Sequence, residues 1–324
     1  MTVRIAILAL AFVVLAILLH AMGVGRIVDL VRRSGWTFAW MVALYSLHIA
    51  LRGWIIWRNL PSGILSLPQV LRIRFAAEAV EMLTFTGPFL AEPAKGWMFV
   101  KGGIALADAA GVIAFEYLTY TLVAADIALV GLGVLLRRGA FPPAAQVPLL
   151  ALMLCLVLFT AGVIFAALSG IGLLTPGVRA LRPLLGASRS EAVALRVASM
   201  EAPLLRLLHG RPGRLLETLT AQTAAHALLA LEIWLLFRSL GLAVGAADPW
   251  IVEGGVKFIN TAFVFVPGQI GAAEGVNALI VKALGFPAAV GVTLSLMRRA
   301  RAYAVASLGV AVAPASTRAG ARPA

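Results

Sequence analysis

From Val147 to Gly170 the chain carries no acidic or basic side chain. A stretch of roughly 20 apolar residues is long enough to cross about 30 Å of hydrocarbon as a helix. A soluble helix of that length shows one polar face, and this one shows none. Comparable windows lie near residues 3–22, 36–57, 105–136, 218–240 and 288–312. Hydrophobic residues make up 61% of the chain and charged ones 13%, against roughly half and a quarter in soluble domains. The sequence therefore predicts an all-α polytopic membrane protein with about six full spans. Arg4 followed by IAILALAFVVLAILL resembles a signal peptide, but the apolar run is long and no small-x-small site follows. It is expected to stay as the first span. The window 105–136 exceeds one crossing, which predicts a tilt, kink or break.

Two apolar regions do not fit as single spans. Residues 62–104 are interrupted at TGPFLAEPAKG, and residues 246–285 at VPGQIGAAEG. Each carries acids in its first helix, Glu78 and Glu81 or Glu253, and breaks at a proline, Pro88 or Pro267. Each then restarts with an acid, Glu92 or Glu274. Proline removes a backbone donor and clashes with the preceding turn, which gives the break a mechanical cause. Irregular backbone at membrane depth persists only where protein or water covers it. Two re-entrant helical hairpins satisfy both conditions; two kinked full spans are the alternative.

Two spans, a hairpin and one span describe residues 1–136, and the same order describes residues 147–312. Three crossings per half would invert the second half relative to the first, within a single membrane domain covering 1–324. The segment 171–217 holds Arg179, Arg182, Arg189, Arg196, Arg206, Arg211 and Arg214 against three glutamates. The positive-inside rule makes it cytoplasmic, where its amphipathic rows suit anionic inner-leaflet lipid. Both termini are then expected inside, and the hairpins open on opposite faces. Arg52, Arg58, Arg72 and Arg74 agree with that orientation; Arg26, Arg32, Arg33, Arg137 and Arg138 do not.

A net charge of +13 suggests nucleic acid, but the basic residues sit at helix ends and in one loop. That distribution suits lipid instead, and no nucleic-acid partner is expected. The lone Cys155 lies in LMLCLVLF and reads as a small core hydrophobe. The four histidines give no metal spacing beyond Gln222 and His226, which is weak. No metal, cofactor or enzyme constellation is read from these residues.

Nine of the fourteen acids fall in or beside apolar segments: Glu78, Glu81, Glu92, Asp108, Glu116, Asp126, Glu232, Glu253 and Glu274. A charge at the bilayer centre costs at least about 2.5–3.5 kcal/mol, so these acids must be paired, protonated or wet. Lys95, Lys101, Lys257, Lys282, Arg298, Arg299 and Arg301 are available as partners. Glu92 and Lys95 are spaced to pair on one helix. Helix restarts also offer backbone donors to an anion, a role Glu92 and Glu274 could fill themselves. Ion pairs that fix helix register and a polar path for a headgroup are both open readings.

The two breaks resemble those of the lysylphosphatidylglycerol-synthase transmembrane-region, or flippase-like, family. Its first signature is a proline, Gly-Glu, a basic residue three on and a glutamate in the next helix. Here Pro88, Ala91-Glu92, Lys95 and Glu116 match it, with alanine for glycine and lysine for arginine. Its second, Pro-Gly-Gly-x-Gly-x-x-Glu before a basic cluster, looks like Pro267, Gly268, Gln269, Gly271 and Glu274, then MRRAR at 297–301. Gln269 departs from that pattern. The MRRAR tail looks most like the hopanoid-associated branch. The resemblance covers nearly the whole chain in layout and two short blocks in motif. It implies a lipid flippase of a bacterial inner membrane, moving a phospholipid, hopanoid or lipid-linked species, without the aminoacyl-transferase domain of the best-known members. The headgroup would meet Glu92, Lys95, Glu116, Glu274, Arg298, Arg299 and Arg301. A non-transporting scaffold, with a lipid-modifying enzyme as partner, is the second reading.

Overall fold

The computed structural model describes residues 32, 35–84, 88–139, 143–172, 174–180, 182–210, 212–262 and 272–313. The expected span at 3–22 and the break residues Pro267, Gly268 and Gly271 lie outside them. All regular structure among the described residues is helical. The helices are α1 (Trp36–Asn59), α2 (Leu67–Leu83), α3 (Pro88–Lys101), α4 (Leu106–Arg137), α5 (Pro143–Ser169), α6 (Leu174–Ala180), α7 (Arg182–Leu185), α8 (Ala187–Gly210), α9 (Pro212–Ser239), α10 (Asp248–Ala262), α11 (Ala272–Ala283) and α12 (Ala288–Val312). Four of them, α1, α4, α5 and α9, are long and apolar enough throughout to cross a membrane. In α12 the cluster Arg298, Arg299 and Arg301 interrupts an otherwise apolar helix.

Local sequence explains where these helices start and stop. Gln69 Oε1 accepts from the backbone N–H and Oγ of Ser66 at 2.8 and 2.9 Å, a capping box opening α2. Thr84 stops α2 in an extended conformation, and α3 begins at Pro88, whose missing donor costs nothing in a first turn. Gly103 closes α3 with φ 94°, and Gly285 closes α11 with φ 90°. The left-handed region strains any side chain, so both sharp reversals use glycine. The same backbone bonds follow each: Gly103 to Val100 and Ile104 to Phe99, then Gly285 to Lys282 and Phe286 to Val281.

Two sets of four helices pack in the same order. In the first, α1 packs on α2, α2 on α3 and α3 on α4; in the second, α9 packs on α10, α10 on α11 and α11 on α12. Across the two sets α1 meets α9, α2 crosses α12, and α10 crosses α4. Each set has its own apolar core. Ile56, Val70, Ile73, Phe99, Ile104 and Val112 belong to one, while Ile233, Phe237, Val252, Val281, Leu294 and Met297 belong to the other, which Met41 of α1 and Leu135 of α4 also enter. The crossings are close because they are built on small residues. A Cβ on Gly309 of α12 would sit 2.1 Å from the Phe75 carbonyl of α2, and one on Gly254 of α10 would sit 2.7 Å from the Ile127 carbonyl of α4.

Three expectations change here. The helix α4 is continuous over 32 residues, about 48 Å at the usual rise, so it is not broken. Cys155 is exposed on α5, not a core residue. That helix is apolar all round and mostly unburied, which suits lipid contact on most of its surface. Arg52 and Arg74, read as orientation charges, are buried at 7% and 2% exposure. They belong to the interior and say nothing about sidedness. The segment 171–217 is largely helical, and α8 packs against α4, α5 and α6. Its Glu201 accepts from the Thr175 hydroxyl at 2.5 Å.

Candidate functional site

Helix pairs α1/α4 and α9/α12 each bury a charge pair. Arg52 of α1 donates from Nε to Glu116 of α4 at 2.6 Å, and Arg301 of α12 donates from Nε to Glu232 of α9 at 2.5 Å. On α2, Arg74 pairs with Glu78 one turn on at 3.0 Å; on α10, Glu253 pairs with Lys257 one turn on at 3.0 Å. The signs are opposite at these four places, while α3 and α11 both carry an acid, Glu92 and Glu274. Where the first set has Arg on its opening helix, the second has Glu; Arg-then-Glu on α2 becomes Glu-then-Lys on α10.

Aromatic rings join the two sets. The Arg52 guanidinium lies 3.8 Å above the centre of the Tyr120 ring, and Lys257 Nζ donates to the Tyr120 hydroxyl at 2.8 Å. His226 stacks on Tyr120 with ring centres 4.6 Å apart, and His48 meets the ring edge at 5.8 Å. Arg301 lies 3.6 Å above the Tyr45 ring, and the Tyr45 hydroxyl donates to Glu78. Arg298 closes the path, donating to Glu253 at 2.8 Å and to the Leu229 carbonyl at 3.0 Å, with Glu232 at 3.7 Å. A chain of contacts thus runs from Lys95 through Glu116, Arg52, Tyr120, Lys257, Glu253, Arg298, Glu232, Arg301, Tyr45 and Glu78 to Arg74.

The interior is closed off by protein: Glu116, Glu232, Glu253, Gln222 and His226 are at 0% exposure. A buried pair adds little net stability, because desolvation offsets its Coulomb attraction, but one lost partner leaves a costly bare charge. Several polar atoms also lack a hydrogen-bond partner, among them Glu116 Oε2, Gln222 Oε1, Glu232 Oε2 and His226 Nδ1. Unsatisfied buried acceptors are uncommon and call for a reason.

The residues expected at a site fall into three places. Glu92, Lys95 and Glu116 come together: Lys95 donates to both Glu92 oxygens at 2.9 and 2.8 Å, with Glu116 at 3.9 Å. Arg298 and Arg301 join the central chain. Glu274 and Arg299 pair with each other across α11 and α12 at 2.9 Å. Of the other intramembrane acids, Asp126 accepts from Thr160 of α5 at 3.0 Å and Asp108 pairs with Arg206 of α8 at 3.7 Å. Sequence reasoning missed Arg52, Tyr45, Tyr120, His48 and His226 as site residues. The signal available was a basic or aromatic polar residue inside an apolar span. Among the described residues there is no group of three or more His, Cys, Asp and Glu side chains placed to hold a metal ion.

An apolar groove of about 410 Å³ lies between α1, α2 and α9. Leu47, Leu51 and Trp54 of α1, Leu67 and Leu71 of α2, and Leu228 of α9 line it.

Apolar helices of spanning length around a paired, buried charge path define a multi-pass membrane protein. It belongs to the family described as the lysylphosphatidylglycerol synthase TM region, whose model matches residues 1–309. That membership ties the chain to membrane lipid. Neither curated proteins nor solved structures give a match.

Proposed function

We propose that this protein carries a lipid with an anionic headgroup between the leaflets of a bacterial inner membrane. It acts as a flippase or lipid transporter and does not catalyse a covalent reaction. The observation that carries the reading is the charge path itself. Burying so many acids and bases at membrane depth is costly, and a headgroup phosphate gives the cations a second partner. Lys95 and Arg298 each reach two acids already, so each can release one without becoming bare. The groove between α1, α2 and α9 would hold the tail.

The matched helix order, the paired glycine turns and the reversed charge signs support an inverted repeat, with 62–104 and 246–285 as hairpins opening on opposite faces. The segment 171–217 lies on anionic inner-leaflet lipid in this proposal, both termini are cytoplasmic, and protease access to it rises with salt. A hopanoid or lipid-linked species stays within the substrate class.

The scaffold reading has one observation in its favour. The site acids Glu92, Glu116 and Glu274 all have a cation partner, which is what register-fixing pairs require. Reconstitution in liposomes with fluorescent phospholipids separates the two. Transfer between leaflets at a rate above protein-free vesicles supports the transporter; transfer at the protein-free rate rejects it.

A further inference from the structure

His226 of α9 is buried against Tyr120, and its Nε2 lies 3.5 Å from the Tyr120 backbone carbonyl. The neutral ring carries one proton, on Nε2 toward that carbonyl or on Nδ1 toward Glu253 Oε1 at 3.6 Å. Either tautomer leaves one ring nitrogen as a lone pair facing an acceptor oxygen, in a site with no exposure. Glu253 Oε1 is itself 3.0 Å from Lys257 Nζ. A second proton on the ring would make both nitrogens donors and give a charge-assisted contact from imidazolium to carboxylate.

What opposes that proton is on neighbouring helices. Lys257 of α10 stands 3.0 Å from Glu253, and Arg298 of α12 stands 2.8 Å from it. From α4, Tyr120 stacks on the ring, and from α1 Arg52 and His48 pack on the other parts of Tyr120. Two cations thus hold the Glu253 charge, Lys257 while also donating to the Tyr120 hydroxyl and Arg298 while also donating to the Leu229 carbonyl. An anion that drew Arg298 or Lys257 away would leave Glu253 short of one positive charge. His226 is the group placed to supply it.

We infer that His226 and Glu253 form a proton-binding pair, filled when an anionic phosphate group takes over Arg298 or Lys257. The step is a proton from water to the unprotonated nitrogen of the His226 ring, with no bond made or broken elsewhere. The inference rests on the proposed lipid-headgroup reading for the anion, while the proton site stands on the geometry of the pair. By linkage, proton and anion strengthen each other's binding equally, so anion affinity falls up to about tenfold per pH unit once the pair is deprotonated.

The test uses the full chain in uncharged detergent, weakly buffered, with a pH dye. Dihexanoyl phosphatidylglycerol, inorganic phosphate and dihexanoylglycerol are added separately. Saturable uptake approaching about one proton per chain is expected with the phosphatidylglycerol and none with the uncharged diacylglycerol. Uptake with inorganic phosphate as well keeps the coupling and identifies the free anion as sufficient. His226→Gln and Glu253→Gln should abolish uptake. Because either variant could misfold, the wild-type chain is also followed by ¹⁵N resonances of its histidine rings, with His48→Gln used for assignment. Conversion of the His226 signal to imidazolium on adding the phosphatidylglycerol is expected. No uptake with either anion, uptake unchanged in a folded His226→Gln, or a neutral His226 signal at saturation overturns the inference. Uptake without leaflet transfer in vesicles would keep the site and remove the transporter reading.

Discussion

Replacing Arg52 by methionine tests what the central charges are for. The side chain is 7% exposed, donates to Glu116 at 2.6 Å and covers the Tyr120 ring at 3.8 Å. Its loss leaves Glu116, at 0% exposure, with Lys95 at 3.9 Å as its nearest cation and that lysine already engaged by Glu92 at 2.8 Å. Stranding one member of a buried pair costs about 3–5 kcal/mol, and the partial help from Lys95 places the expected loss near the lower end. Replacing both members, Arg52→Met with Glu116→Leu, removes the stranded charge. That double variant should recover most of the loss, since apolar substitutes of similar volume are often neutral.

The assay is thermal unfolding in detergent for the two single variants and the double, beside leaflet transfer of fluorescent phospholipid. A transport role for the path predicts a double variant that is nearly as stable as wild type and does not transfer lipid. A register role predicts that stability and any transfer return together. An Arg52→Met protein within about 0.5 kcal/mol of wild type, the range of ordinary surface substitutions, would refute the reasoning from burial altogether.

Gly309→Val puts a Cβ 2.1 Å from the Phe75 carbonyl, where backbone cannot yield. The α2–α12 crossing should open, at a cost of about 1–3 kcal/mol or more, read as a lower melting temperature; unchanged melting would contradict the close approach. In a Cys155→Ala background, cysteines at the exposed positions Ser66, Ser188 and Ala247 report sidedness to an impermeant maleimide. Ser66 and Ser188 should label from the cytoplasmic face and Ala247 from the opposite one; Ser66 and Ala247 labelling together would end the inverted arrangement.

The spans were legible because lipid imposes a simple condition, length and apolarity, that a sequence displays directly. Windows at 36–57 and 105–136 became helices over 36–59 and 106–137. The proline at Pro88, where α3 begins, is likewise local chemistry, whereas the glycine turn at Gly103 was not read from the sequence. Pairing is different, because it depends on which helices cross. Glu92 with Lys95 could be read from spacing on one helix, and the structure makes that pair. Arg52 with Glu116 lies 64 positions apart and Arg301 with Glu232 lies 69 apart, so no periodicity connects them. Arg52 and Arg74 were misread for the same reason, since a basic residue near a span end looks like a surface anchor until its partner is known.

The like order of spans and breaks could be read from the sequence, but the reversal of sign at four buried charges hid how those charges correspond. A repeat is sought by likeness, and Arg52 does not look like Glu232, nor Glu116 like Arg301. Around Tyr120 the two sets do bring like charges together, because Lys257 and Arg52 share one ring. That repulsion is offset by the ring face and by Glu116 and Glu253, which hold Arg52 and Lys257 at 2.6 and 3.0 Å. Under the proposed transporter reading, each of these cations has an acid to return to after releasing a headgroup, which is the reciprocity a carrier's interior has to provide.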